Sequence, residues 1–261
     1  MNSISNIKVT LIGSGKVATS LAHTLVSHGV IIQEVYSRQL SHAKKLAQAV
    51  AAKQATQSLD FTKSSSQVFI ISVKDDAIQQ VAEEIKLPEK AILLHTSGTV
   101  SINTLATTAR PHGILYPLMT FGADQLIDFD QVPILTESNS IEAQDILDTL
   151  ARSISTQVQA ASESERQLLH VAAVFASNFT NRMIAASEEI LTGTQLPTSM
   201  LKPLLTQTIQ NAWDTHPDEA LTGPAKRGDV ETIKKHLNLL KEKPKLAKIY
   251  EVITESITSK F

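Results

Sequence analysis

The sequence predicts an α/β protein in two parts: a doubly wound parallel sheet over residues 1–160, then an all-helical region over residues 161–261. Three observations predict it. Short Val/Ile-rich runs alternate with longer helical patterns through the first part, the signature of strand–helix–strand units with right-handed crossovers. A glycine loop separates the first run from the first helical pattern. After Ser162 the strand-like runs stop, and four helical segments follow without an intervening apolar run.

The apolar runs are Ile7–Ile12, Val30–Tyr36, Val68–Val73, Ala91–His95, Ile114–Tyr116, Val132–Thr136 and Gln157–Ala160, with a weak further strand near Ala55–Gln57. Most are continuous rather than alternating, as strands buried on both faces are. Between them, Lys16–His28, Ser41–Ala52, Asp75–Ile85 and Ile141–Ile154 are long enough for crossover helices. Ser164–Thr192 holds neither Gly nor Pro and reads as one long helix, stopped by Gly193 and Pro197. A second helix follows over about Thr198–Asp214. The turn Thr222-Gly223-Pro224 leads to a third, which Asp229 can cap, and a last one covers Lys245–Thr258.

Composition removes several classes of function. The 261 residues contain no cysteine, which excludes disulfides, cysteine-bound metal clusters and a thiol nucleophile. A chain of this length buries roughly 75% of its unfolded surface and needs no such staple. Lys and Arg number 24 against 26 acidic residues, and aromatics make up 4%, so neither a basic stripe nor base-stacking rings point to nucleic acid. No run approaches the ~20 apolar residues of a membrane span. Met1–Gly15 lacks the long apolar core of a signal peptide. The expectation is a cytoplasmic protein without a metal site, since the histidines show no ligand spacing.

The first strand runs into Gly13-Ser14-Gly15-Lys16-Val17-Ala18 and then a helix. This is G-x-G-x-x-A in the setting that a dinucleotide fingerprint requires. Gly13 permits the tight turn, Gly15 lets a pyrophosphate reach the backbone, and Ala18 lets the helix lie close to the strand. The amides of the helix N-terminus then face the phosphates. NAD binders place a carboxylate at the end of the second strand; this chain has Tyr36-Ser37-Arg38, and its Glu34 comes too early. A guanidinium with a hydroxyl suits a 2′-phosphate, so NADP is the expected cofactor. Alternatively, Arg38 is a solvated residue ahead of the next helix. Ser72 and Val73, at the end of the fourth strand, are expected along the nicotinamide path, with Asp75 capping the helix behind them unless that cap is the loop's whole purpose. Ser97, in the small-residue loop His95-Thr96-Ser97-Gly98, belongs to the same expected site.

At about 100° per residue, His170, Ser177 and Asn181 fall within about 40° on one face of the long helix, with Asn178 at its edge. Leu168, Ala172, Phe175, Phe179, Met183 and Ile190 fall opposite and are expected to be core. The polar stripe is either a substrate-facing surface or a helix–helix hydrogen-bond network. Arg227, in Leu221–Asp229, is either a clamp for a substrate carboxylate or a surface residue.

Taken in order, Gly13–Ala18, Ser37-Arg38, His95–Gly98, Tyr116-Pro117-Leu118, His170–Phe179, Leu221–Pro224 and Arg227–Asp229 resemble a known group. It comprises Rossmann-type NADP-dependent oxidoreductases whose C-terminal half is a domain of unknown function. That group sits in the 6-phosphogluconate dehydrogenase-like superfamily, beside ketopantoate reductase, pyrroline-5-carboxylate reductase and the deazaflavin-dependent NADP oxidoreductases. The resemblance implies a Rossmann NADP-binding domain, a helical half that forms a homodimer, and an active site in the cleft between the two. Better-known members carry a catalytic lysine four residues before an asparagine; here Val174 stands four before Asn178. The expectation is therefore an NADPH-dependent reductase of a small oxo-acid, with ketopantoate as the named substrate. His170 would be the proton donor, Asn178 the group orienting the carbonyl and Arg227 the carboxylate clamp. The alternatives are an imine reductase of the pyrroline-5-carboxylate type and a non-catalytic NADP-binding regulatory protein.

Overall fold

The computed structural model describes residues 7–122 and 126–261. Eight strands form one sheet in the order β3-β2-β1-β4-β5-β6-β7-β8. They are β1 (Lys8–Ile12), β2 (Ile31–Tyr36), β3 (Gln54–Thr56), β4 (Val68–Ile71), β5 (Ile92–His95), β6 (His112–Pro117), β7 (Ile134–Ser138) and β8 (Val158–Ala160). Four helices cross between them: α1 (Lys16–Ser27), α2 (Leu40–Ala49), α3 (Asp75–Glu84) and α4 (Ile141–Ile154). A 3-10 turn, Ile102–Thr108, connects β5 to β6.

The continuous apolar runs are buried on both faces, as expected. Every residue of β4 and of β5 is buried. One face packs Leu21, Leu25, Leu46 and Leu147 from α1, α2 and α4. The other packs Ile78 and Val81 from α3 with Phe61, Phe69 and Leu105. Strand order reverses between β1 and β4, both parallel, and that is where open α/β sheets bind ligands.

One strand departs from the expected all-parallel sheet. β7 runs antiparallel to β6, pairing Leu115 with Thr136 and Pro117 with Ile134. Among the described residues no crossover helix intervenes between them. β8 is again parallel to β7.

The chain divides into two compact units, Met1–Phe175 and Ala176–Phe261. The division lies beyond the change of pattern after residue 160, because α5 (Glu163–Ala173) is fastened to the first unit. A capping box at Ser162 and Glu165 starts this helix. Fully buried Arg166 then donates to the carbonyls of Ser97 and Val100 and to Glu137 Oε2. Glu163 accepts from Ser101 Oγ at 2.6 Å.

The single long helix expected over Ser164–Thr192 is interrupted. A π-helical stretch, Val174–Phe179, separates α5 from α6 (Thr180–Leu191). A π turn takes more residues than an α turn, so the count of about 100° per residue fails across it. The side opposite the expected polar stripe is not core: Leu168, Phe175, Phe179 and Ile190 are exposed in this chain.

The second unit continues with a 3-10 turn at Thr198–Leu201 and α7 (Lys202–Asp214). A short α8 (Pro217–Ala220), α9 (Val230–Leu239) and α10 (Pro244–Thr258) follow. Asp229 caps α9 as expected, accepting from the Thr232 amide. Within this unit only Ala186, Leu240 and Leu246 are buried, and they form one small cluster with Ala247, Ile249 and Tyr250 against it.

Candidate functional site

Four loops leave the same edge of the sheet, after β1, β2, β4 and β5. Gly13 sits at φ +128°, and a Cβ there would collide with the carbonyl of Ser72, so only glycine permits the first and third loops to touch. At Gly15 a Cβ would meet nothing within 4 Å. Gly15 is the N-cap of α1, and no side chain caps the helix. Its first-turn amides thus open onto free space, the arrangement that holds a phosphate. Ala18 is fully buried where α1 lies against the sheet, as its small size led us to expect.

A cleft of about 920 Å³ opens in front of this loop. Gly13, Ser14, Gly15, Lys16 and Val17 line it on one side, Tyr36, Ser37 and Arg38 on another, and Ser72, Val73 and Lys74 on a third. Ser14 Oγ donates to Ser37 Oγ at 3.0 Å, which ties the phosphate loop to the end of β2. Glu34 is turned away from the cleft into the sheet, where its carboxylate accepts from the hydroxyls of Thr10, Ser64 and Ser66. The end of β2 therefore presents a cation and a hydroxyl but no carboxylate to a ribose. An uncapped helix start, an open glycine and a guanidinium at the β2 end fit a dinucleotide that carries a 2′-phosphate.

Ser97 takes a different place from the expected one. It is buried, its Oγ accepts from the amides of Thr99 and Val100, and its carbonyl accepts from Arg166. Its neighbour Thr96 lines the cleft instead, with its hydroxyl 3.2 Å from Ser72 Oγ. Asp75 does not cap α3, whose N-cap is Lys74; it accepts from Thr99 Oγ1 at 2.6 Å. Phe121 also lines the cleft. A single aromatic in a long loop gives no sequence signal of its own.

Beneath this loop His95 is fully buried. Its Nδ1 accepts from the Ser97 amide, and burial, reinforced by the nearby Arg166 charge, lowers its pKa to about 4. At the loop's far end, His170 Nδ1 lies 2.9 Å from the hydroxyl of Tyr116. Burial pushes the Tyr116 phenol up from its ordinary pKa, so it keeps its proton. Gly98 passes directly over the pair: a Cβ there would stand 2.8 Å from His170 Nδ1 and 2.9 Å from the Tyr116 oxygen.

Asn178 and Arg227 belong to the second unit. Asn178 lies in the π stretch and Arg227 in the loop before Asp229, and both are exposed. Among the described residues, no group of three or more His, Asp or Glu could hold a metal ion, and no helix is long and apolar enough to cross a membrane.

The geometry agrees with comparisons to known proteins. Residues 8–97 match the family NADP oxidoreductase, coenzyme F420-dependent, and residues 132–257 match a domain of unknown function, DUF2520. A Bacteroides fragilis protein described as an NADP oxidoreductase is 34% identical; the match covers 98% of this chain and 100% of that one, with a TM-score of 0.88. A reductive aminase from Aspergillus terreus, solved with NADPH and ethyl-5-oxohexanoate, shares the fold at 12% identity, over 97% of this chain and 94% of its own, with a TM-score of 0.74. Glutamyl-tRNA reductase of Listeria innocua is 25% identical over 169 residues, 64% of this chain, and the match spans only 37% of that relative's length. The chain belongs to the NADP oxidoreductases, with a dinucleotide-binding match at its N-terminal side and a DUF2520 match that begins before β7 and runs through the helices that follow.

Proposed function

We propose that the chain is an NADPH-dependent reductase of a small oxo-acid, with ketopantoate the first substrate to try. The observation that carries this reading is His170, bonded to Tyr116 beside Gly98, two residues along the loop from Thr96, which lines the cleft; His170 itself is not one of the lining residues. The amides after Gly13 would hold the pyrophosphate, and Arg38 with Ser37 the 2′-phosphate. When bound, the cofactor supplies a hydride to the carbonyl carbon. The chain's own task is to place that carbonyl and to neutralise the growing charge on its oxygen. Histidine titrates nearest to working pH of all side chains and is the natural donor. Asn178 would orient the carbonyl and Arg227 would hold a carboxylate.

A reduction of a cyclic imine carboxylate is the second reading, favoured by the fold shared with the reductive aminase. The two differ in when the proton enters. Hydride addition to a ketone leaves an alkoxide that must be protonated at the site, whereas a cyclic imine takes its proton on nitrogen, from water or a donor, before the hydride adds and leaves a neutral amine. His170 therefore has more to do in the first reaction, which is why the oxo-acid comes first.

The second unit supports a homodimer. Its residues bury only one small cluster, while Met200, Leu204, Ile209 and Trp213 leave an apolar surface exposed. A two-fold partner is the commonest cover for such a surface. The cytoplasm, where NADPH is plentiful, is the compartment that suits this chemistry.

The test is loss of NADPH absorbance with a panel of 2-oxo acids, ketopantoate among them, and cyclic imines including pyrroline-5-carboxylate, with NADH as control. Turnover of an oxo-acid with NADPH is expected. Turnover of imines alone favours the second reading. Tight NADPH binding without turnover of any compound overturns both and leaves a regulatory NADP-binding protein.

A further inference from the structure

We propose that Tyr116 is a positioning residue for this reaction: its hydroxyl holds His170 by Nδ1 and leaves Nε2 as the ring atom that meets the substrate. The inference rests on the reading of His170 as the donor.

The pair is built from three separate parts of the first unit. Tyr116 lies in β6, 8% exposed, and its ring is packed with Ile102, Ile114 and Leu135. That packing fixes where the phenol oxygen stands. His170 comes from α5, which Arg166 and Glu163 fasten to the loop after β5. The rings meet at 6.0 Å and 56°, too tilted to stack, so the hydrogen bond is what orients the imidazole. Gly98 leaves the room that the bond needs. The hydrogen bond shown for the ring is the one at Nδ1.

A neutral imidazole carries one proton, on either nitrogen, and the partner of one nitrogen decides what the other presents. The Tyr116 hydroxyl keeps its proton because burial disfavours the phenolate. It can therefore donate to Nδ1, and we take the resting neutral ring to be the tautomer so held, with its own proton on Nε2. In the imidazolium both nitrogens carry protons; Nδ1–H donates to the phenol oxygen, whose hydroxyl turns to accept. As the Nε2 proton passes to the substrate oxygen, the N–H bond breaks and the O–H bond forms. The ring is left neutral with its remaining proton on Nδ1. Water then returns a proton to Nε2, and Tyr116 neither gains nor loses one.

The direct test reads the imidazole itself and needs no substrate. In protein labelled with ¹⁵N-histidine, the His170 signals are those lost in His170→Ala. With the ring neutral, we expect an unprotonated Nδ1 and a protonated Nε2 in the unmodified protein. In Tyr116→Phe the two shifts should move toward each other as the tautomers mix. Gly98→Ala retains both groups but crowds them apart, and should give the same change even if Tyr116→Phe folds poorly. Identical His170 shifts in the unmodified protein and both variants would overturn the inference. In kinetics with ketopantoate, or the panel compound that is turned over, Tyr116→Phe should lower kcat by roughly 10–100-fold, the loss seen when the outer partner of a metal-bound histidine is removed and taken here as the guide for a histidine oriented in the same way. KM and NADPH affinity should stay within about twofold. Full kcat in Tyr116→Phe beside a large loss in His170→Ala sinks the positioning role alone. Full kcat in His170→Ala sinks the donor reading and the positioning role together.

Discussion

Arg38 and His95 show how much single side chains decide in this molecule. Arg38 lines the cleft, where no carboxylate among the described residues pairs with it, and Glu34, which could have replaced it in binding a ribose, is tied into the sheet by three hydroxyls. A charge-assisted fork to a 2′-phosphate contributes roughly 1.5–3 kcal/mol, or about 10–150-fold. Fluorescence titration should therefore find NADPH bound that much more tightly than NADH, and Arg38→Ala should close the gap. Equal affinities in the unmodified protein would contradict the assignment. His95 makes a prediction about acid stability. Its folded pKa of about 4 lies below the ordinary histidine value of 6.5, so between them the unfolded chain binds a proton that the folded chain does not. Stability from this residue is complete above about pH 6.5 and falls as pH drops toward 4, by up to roughly 3 kcal/mol. Urea denaturation at neutral pH and near pH 4.5 should show the loss, and His95→Asn should show a shallower one. An unchanged slope in that variant would refute the cause. The glycine loop and Arg38 were legible in the sequence because their chemistry is local. The Tyr116–His170 pair was not, since 54 residues separate its members and only the fold brings them together.

Elements differ in the same respect. Strands β1, β2, β4 and β5 are legible because burial on both faces demands an unbroken apolar run, whatever the neighbours. The direction of β7 is not, because a run of Ile and Leu reads the same way up or down. Nor is the π stretch at Val174–Phe179: it shifts hydrogen-bond partners without requiring a special residue. The attachment of α5 depends on Arg166, which reaches residues about 66–69 positions back and Glu137 at 3.2 Å. Arg166→Met would leave the Glu137 carboxylate and two loop carbonyls without their donor. We expect a loss of roughly 3–5 kcal/mol in chemical denaturation, the usual cost of removing one member of a buried ion pair. A loss below about 1 kcal/mol would show that water replaces the guanidinium and that α5 is held by other means.

At the scale of the whole molecule, the expected core of the long helix explains its own failure. Leu168, Phe175 and Phe179 were assigned inward from the periodicity, yet they are exposed in one chain. Apolar periodicity reports that a face is covered and does not say by what. Trp213 is 85% exposed as well, and the second copy proposed above is the cover that would suit these side chains. Light scattering at micromolar concentration should give about 57 kDa, twice the chain mass of 28.4 kDa. A mass of one chain would refute the dimer. Trp213→Glu should weaken the assembly if its ring lies in the contact.

The central claim is that this family member reduces a carbonyl with a proton held at His170. Steady-state kinetics of His170→Ala with NADPH and the oxo-acid identified by the panel tests it most directly, alongside a separate fluorescence titration of NADPH. The account predicts a kcat lower by roughly 10²–10⁴, the usual contribution of a general acid, with NADPH affinity nearly unchanged. Full kcat in His170→Ala would contradict it and make the histidine a structural residue of α5.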